Sequence, residues 1–327
     1  MKRVLITGAG GFIGLRLYTS LLEKNFSVCA TVRNERDLGR LPKDVTRFVT
    51  GNLESVTDWK PFLEGVDAVV HLAARVHRMR EEGPDPEAAY QQMNVGVTRA
   101  LAEAAGKAGV KRFLFLSSVK AMGESTSPGE AWDESSPCFP QDAYGRSKRD
   151  AENVLIDVGQ RTGLEIVILR LPLVYGPGVK ANMARLFKIV ARGVPLPLGG
   201  IGNARSLIFI GNLVDAILVT LDHPKAAGQT FLVSDGEDVS TPELIRRIAH
   251  ALNRPARLLP FPPSLLRLAG KLTGRSATVD RLLNSLVVDS SKIGRELNWT
   301  PPYSMAQGLE ETARWYLRGK EDRKRGS

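Results

Sequence analysis

An apolar run, Val4-Leu5-Ile6-Thr7, passes directly into Gly8-Ala9-Gly10-Gly11-Phe12-Ile13-Gly14, so that a strand opens into a helix through three glycines spaced three apart. Gly8 permits the sharp strand-to-helix turn, Gly11 removes the Cβ that would hold the backbone off a pyrophosphate, and Gly14 lets the helix lie close on the sheet. An anion placed there meets free N–H groups at the positive end of the helix dipole. The spacing fits G-x-x-G-x-x-G at Gly8, Gly11 and Gly14; the G-x-G-x-x-G form fails because its last position is Ile13. The segment therefore reads as a dinucleotide site, with Phe12 and Ile13 opening its helix.

Strands predicted near 2–7, 27–32, 46–50, 67–72, 112–117 and 165–170 alternate with helices near 12–24, 55–64, 86–107 and 143–161. This is the pattern of βαβ units, and right-handed crossovers place the helices on both faces of a parallel sheet. The expected fold class is α/β, a Rossmann-type doubly wound parallel sheet. After Arg170 the texture changes: Pro172, Gly176, Pro177, Gly178, Gly193, Pro195, Pro197, Gly199, Gly200 and Gly202 indicate loops organising a smaller carboxyl-terminal lobe. The segment near 208–234, with Ile208-Phe209-Ile210, a helix and then Phe231-Leu232-Val233, is expected to return to the sheet, so the lobes interleave. Residues 1–170 plus about 208–234 form the expected dinucleotide-binding domain, 171–207 plus about 235–318 the substrate lobe, and 319–327 a polar tail.

Composition limits the function classes. With 327 residues, 43% hydrophobic and 24% charged, the chain can bury a full core. Met1-Lys2-Arg3 runs straight into the first strand and no apolar run reaches spanning length, so a cytoplasmic protein without membrane insertion is expected. Cys29 and Cys138, with His71, His77, His223 and His250, form neither a disulfide framework nor a metal-ligand spacing, and no metal is expected. The formal charge of +10 suits an anionic ligand, but its basic residues are dispersed, which argues against nucleic-acid binding. Ser264 to Leu272 carries an apolar stripe with basic neighbours; being short and holding Gly270, it reads as a helix packed over the substrate site rather than a membrane-surface element.

The chemistry gathers downstream. Phe113 to Ser118 ends a strand in Ser117-Ser118, and Tyr144-Gly145-Arg146-Ser147-Lys148 opens a helix 26 residues after Ser118. Tyr144 and Lys148, four apart, share a helical face. A lysine beside a phenol favours the phenolate and lowers a pKa that is ordinarily ~10 toward neutrality. A serine hydroxyl at the carboxyl end of the neighbouring strand can bond the same substrate oxygen, and ligands of such sheets sit at those ends.

These residues resemble the extended short-chain dehydrogenase/reductases of the nucleotide-sugar epimerase, dehydratase and reductase group. The similarity covers nearly the whole chain: Thr7 to Gly14, His71-Leu72-Ala73-Ala74, Asn94 to Thr98, Ser117-Ser118, Tyr144 with Lys148, Leu169 to Gly178, Arg205 before Phe209-Ile210 and Val214-Asp215, and Leu297 to Pro301. The resemblance implies that Tyr144 is the acid/base, that Lys148 lowers its pKa and holds the nicotinamide ribose, and that Ser118 orients the reacting hydroxyl or ketone. It implies that Leu72, Ala73, Ala74, Asn94 and Ser117 line the cofactor cleft, with Leu171 beside the nicotinamide. Arg205, Arg281 and Asn182 would bind the pyrophosphate of a UDP-sugar, guanidinium suiting phosphate oxygens. A homodimer paired through the 86–107 and 143–161 helices is the assembly it implies.

Three departures from the group refine the expectation. Where NAD-using relatives end the second strand with an acid, this chain reads Ala30-Thr31-Val32-Arg33-Asn34; Arg33 suits a 2′-phosphate, so NADP(H) is favoured within an NAD(P) site. Asn52, before Leu53, stands where relatives carry Asp toward the adenine, and an amide offers similar hydrogen bonds. After Ser118 the chain reads Val119-Lys120-Ala121-Met122-Gly123 without the Asp-Glu pair of 4,6-dehydratases, so dehydration is disfavoured and Lys120 offers a cation to the substrate. Ser117 to Glu124, Pro195 to Gly199 and Val288 to Lys292 most resemble reductases of UDP-4-keto-6-deoxy-N-acetylhexosamines, which make UDP-N-acetylfucosamine or UDP-N-acetylquinovosamine. The alternative is a UDP-glucose or UDP-N-acetylglucosamine 4-epimerase with tightly held NAD. A cofactor-sensing scaffold would be expected to lack Tyr144 or Lys148, and both are present.

Overall fold

The computed structural model describes residues 2–42, 46–76, 85–274 and 276–325; His77 lies outside them. The amino-terminal half runs β1 (Arg3–Thr7), α1 (Phe12–Glu23), β2 (Ser27–Val32), α2 (Glu35–Leu38), β3 (Thr46–Val49), α3 (Lys60–Leu63), β4 (Ala68–His71), α4 (Pro86–Tyr90), α5 (Val97–Lys107), β5 (Arg112–Ser118), α6 (Ala143–Thr162) and β6 (Glu165–Leu171). It continues through β7 (Leu173–Tyr175), α7 (Ala181–Ala191), β8 (Arg205–Phe209), α8 (Ile210–Asp222), β9 (Thr230–Leu232), β10 (Asp238–Val239) and α9 (Thr241–Ala251). Four helices close the chain: α10 (Pro263–Leu272), α11 (Ser276–Leu283), α12 (Ser291–Leu297) and α13 (Met305–Arg325).

Seven strands form one sheet in the order β3-β2-β1-β4-β5-β6-β9, every neighbouring pair parallel. Strand order reverses between β1 and β4, which leaves the ligand crevice of a doubly wound sheet at their carboxyl ends. Each face has its own apolar layer, as period-two strands buried on both sides require. Val4, Ile6, Leu114, Leu116 and Leu169 pack under α1 and α8. Leu5, Val69, Phe113, Phe115 and Ile168 pack under α5 and α6. A second sheet, β10-β8-β7, has a core of its own that includes Phe187, Phe209, Ile245 and Leu309.

Several local expectations change in three dimensions. The helix expected near 55–64 is a 3₁₀ turn at Leu53–Ser55 and the short α3, whose Pro61 sits in the first turn, where a missing N–H costs nothing. The helix expected over 86–107 is interrupted by a π-helical turn at Gln91–Gly96. Ile208-Phe209 does not return to the main sheet: β8 pairs with β7 and β10, and only β9 rejoins, beside β6. The segment expected as a tail from 319 continues α13 as far as Arg325. On α10, Leu266 and Gly270 turn inward, a Cβ at Gly270 lying 2.8 Å from Val279. Leu265, Leu268 and Leu272 face outward, so the stripe expected to cover the substrate site is exposed.

Candidate active site

The glycine loop is built to bring backbone close to backbone. Gly8 sits at φ +71°, and a Cβ there would lie 3.0 Å from the Ala73 nitrogen. A Cβ at Gly14 would lie 2.5 Å from the Gly8 carbonyl oxygen, and one at Gly11 3.1 Å from the same atom. Helix α1 opens on Gly11 with no side-chain cap and no acid in its first turn. That leaves its positive end to an exogenous anion, and the cradle fits a dinucleotide pyrophosphate. Phe12 reaches the 176–178 turn, its ring 3.5 Å from where a Cβ of Gly178 would stand.

The floor of this crevice is a buried polar chain that sequence reasoning missed. Thr7 Oγ1 and Thr98 Oγ1 hold the two ring nitrogens of His71 at 2.7 and 3.0 Å, and the Ala73 N–H donates to Thr7 Oγ1. Burial, aided by the Lys148 charge, lowers the His71 pKa to about 3, so the ring is a neutral strut. Asn94, in the π turn, accepts from the Arg75 N–H at 2.8 Å and donates to Arg75 O and Ser147 Oγ. Its amide thus ties the loop of Leu72, Ala73 and Ala74 to α6. At the opposite wall Arg33 is exposed beyond β2, and Asn52 is exposed while Leu53 is buried. Arg40, which sequence reasoning also missed, donates to Gly10 O at 2.9 Å.

Register places the candidate reacting groups at the carboxyl edge of the sheet: Ser118 pairs with Leu171 as β5 and β6 end. Asp142 caps α6 through the Gly145 N–H at 2.7 Å, and the first turn of that helix brings the Tyr144 phenol close to Ser118. Burial pushes the Tyr144 phenol up to about 12; the nearby Ser118 hydroxyl opposes this, while Asp142 and Tyr90 add to it. Lys148 is brought to the same helical face, but its ammonium points into β5, 2.5 Å from Leu116 O and 3.9 Å over the Phe115 ring. Burial lowers Lys148 to about 7, with Glu152 opposing. The expected lowering of Tyr144 by Lys148 is therefore absent from this arrangement, because the lysine faces a carbonyl and a ring.

Ser117 is a clearer correction. Alternation along β5 separates its hydroxyl from that of Ser118, and it donates to Glu152 Oε1 at 2.5 Å instead of facing the cofactor cleft. Glu152 also accepts from Arg170 Nε and Nη2 at 3.1 and 2.8 Å, and from Arg149 at 3.1 Å. The 35-residue separation of Ser117 and Glu152 left no sequence signal for this cluster.

Lys120 was expected to offer a cation to substrate. Its Nζ is bound by Glu124 Oε1 at 2.7 Å and Asp142 Oδ2 at 2.5 Å. Arg205 and Arg281 do come together, Arg205 Nη1 donating to Arg281 O at 2.7 Å and Asn284 O at 3.2 Å. Burial lowers the Arg205 pKa, the nearby Glu124 charge opposing and Arg281 adding to it. Asn182 is exposed in the first turn of α7, apart from these contacts. Among the described residues no group of three or more His, Cys, Asp or Glu could hold a metal ion, and no helix is long and apolar enough to cross a membrane.

Comparison with known proteins agrees with this architecture. A UDP-glucose 4-epimerase of Vibrio cholerae is 43% identical over 97% of this chain and 96% of its own. The N-acetyl-alpha-D-glucosaminyl-diphospho-ditrans,octacis-undecaprenol 4-epimerase of Escherichia coli O157:H7 is 28% identical over 98% and 97%. The structure of UDP-glucuronic acid 4-epimerase from Bacillus cereus, in complex with NAD, superposes with a TM-score of 0.78 over 98% of each chain at 22% identity, a likeness of fold. The model of the NAD dependent epimerase/dehydratase family matches residues 4–234. With that match added to a crevice of the corresponding shape, the chain belongs to the NAD dependent epimerase/dehydratase family.

Proposed function

We propose that this chain acts at C4 of a nucleotide sugar, as a 4-epimerase of a UDP-hexose or UDP-N-acetylhexosamine. The observation that carries the reading is the approach of Tyr144 to Ser118 at the sheet edge, beside the glycine cradle. The 43% identity to an epimerase over almost the full length supports it. A bound nicotinamide dinucleotide would supply the hydride acceptor and donor. Gly8, Gly11, Phe12, Ile13 and Gly14 would hold its pyrophosphate, Asn52 and Leu53 its adenine side, and Leu72, Ala73, Ala74, Asn94, Leu171 and Lys148 its nicotinamide side. Tyr144 takes the proton of the C4 hydroxyl as the C4–H bond breaks and later returns it to the same oxygen. Ser118 aims that oxygen, and Arg205 with Arg281 gives the diphosphate guanidinium partners. The expected homodimer through α5 and α6 belongs to this reading.

A second reading, reduction of a UDP-4-keto-6-deoxy-N-acetylhexosamine, is favoured by Arg33, whose exposed guanidinium beyond β2 suits a 2′-phosphate and hence an exchangeable NADPH. One experiment separates the two. Purified protein is incubated with UDP-glucose or UDP-N-acetylglucosamine without reductant, and with the 4-keto sugar plus NADPH. Interconversion of C4 epimers with no net NAD(P)H change is the expected result. Stoichiometric NADPH oxidation by the keto sugar, with the hexoses untouched, overturns the epimerase in favour of the reductase.

A further inference from the structure

A ring of contacts leads from Ser118 to the turn of α6 that carries Tyr144. The Lys120 N–H donates to Ser118 Oγ at 3.2 Å, and Lys120 Nζ donates to Asp142 at 2.5 Å. Asp142 in turn caps α6 through the Gly145 N–H at 2.7 Å, and Tyr144 comes back to the neighbourhood of Ser118. The ring is tight, since a Cβ at Gly145 would stand 2.4 Å from the Lys120 carbonyl oxygen. Glu124 holds the other side of the ammonium at 2.7 Å, so removing one carboxylate leaves the lysine in place.

We propose that Asp142 is a positioning residue for Tyr144, and that the Lys120–Asp142 ion pair both aims the hydroxyl at Ser118 and sets the charge that it meets. This rests on the C4 reading above. One carboxylate serves two ends: Oδ1 fixes the start of the helix and Oδ2 locks that helix to the turn that follows Ser118. The groups acting on Tyr144 are Ser118 from β5, Tyr90 from α4 at 6.1 Å between ring centroids and Asp142 from α6; Lys120 and Glu124 stand behind Asp142, and the Lys148 ammonium turns to Leu116 O. Of these, Asp142 and Tyr90 hold the phenol up. Removing the Asp142 charge should therefore bring the phenol down, and removing the Lys120 ammonium, which offsets that carboxylate, should raise it.

The test uses Asp142→Asn, which keeps an acceptor for the Gly145 N–H, together with Lys120→Met and the double variant. The limb of the kcat–pH profile governed by Tyr144 should move down in Asp142→Asn and up in Lys120→Met, each on the order of one pH unit, and return near wild type in the double variant. The same order should appear without sugar in the tyrosinate ultraviolet difference spectrum, with Tyr144→Phe as blank. Equal falls in kcat with a stationary limb and a stationary spectrum, or shifts of both single variants in one direction, overturn the proposal. Opposed spectral shifts without turnover of any sugar leave the positioning role standing and sink the C4 reading.

Discussion

On one side of the β5 terminus Glu152 and Arg170 pair with 1% and 5% of their side chains exposed, whereas on the other Lys120 meets Glu124 and Asp142 with 21%, 26% and 27% exposed. Both clusters lock α6 to the sheet, yet burial gives them different work. A carboxylate in the dry cluster must be paired, because an unpaired buried ion is costly; Glu152 accordingly has partners in Ser117, Arg149 and Arg170, although Arg170 Nη1 is left without one. Pairs open to water contribute little to stability. The second cluster is therefore free to be tuned for the groups it faces, among them Tyr144 and Arg205.

That contrast can be broken most visibly at Glu152. Glu152→Ala should cost about 3–5 kcal/mol of stability, because it strands Arg170. The joint Glu152→Leu/Arg170→Met variant should recover most of it in denaturant unfolding; a single-variant loss below ~1 kcal/mol would show the cluster to be solvated in solution. Next in size is Tyr144→Phe, which should leave unfolding unchanged and lower turnover by at least the ~10²-fold of lost acid/base catalysis. Near-normal turnover would remove Tyr144 from the chemistry.

Arg33→Ala touches neither cluster and sharpens the comparison as an outside reference. It should weaken NADPH binding by about 1.5–3 kcal/mol and leave NADH nearly unchanged, measured by titration calorimetry; equal losses would show that Arg33 does not read the 2′-phosphate. The last effect is a slope, small over any single pH unit. Lys148 titrates at about 7 when folded against 10.5 ordinarily, so between those values the unfolded chain holds a proton that the native chain lacks. Stability should thus rise with pH across that window by up to about 1.4 kcal/mol per pH unit, and Lys148→Met should flatten the curve. A wild-type and variant pair with parallel curves would argue against a buried, proton-poor lysine.

What could be read from sequence was what is encoded locally. The β1–Gly–α1 unit and the strand ends at Ser118 and Leu171 follow from runs of apolar residues and from glycines whose neighbours are close in the chain. Tyr144 and Lys148 were legible because a helix fixes their spacing, but the direction of the lysine was not, since Leu116 O and the Phe115 ring are brought to it by another element. Lys120 looked like a cation awaiting a ligand because Asp142 lies 22 residues away. Ile208-Phe209 was assigned to the wrong sheet for a similar reason. An apolar strand pattern does not name its partner, and the pairing with Val174 and Tyr175 is a property of the folded lobe.

The return of β9 to the main sheet also bears on synthesis at the ribosome. β6 ends at Leu171, and the strand that covers its open edge begins only at Thr230. At ~5–20 residues per second, several seconds separate the two. During that interval the nascent sheet exposes the unpaired hydrogen-bonding groups of Ile166, Ile168 and Arg170, which β9 and its flanks later take up. An apolar edge held open this long is a place where one nascent chain can pair with another, which makes the stretch from 171 to 232 the interval in which chaperone cover would matter most.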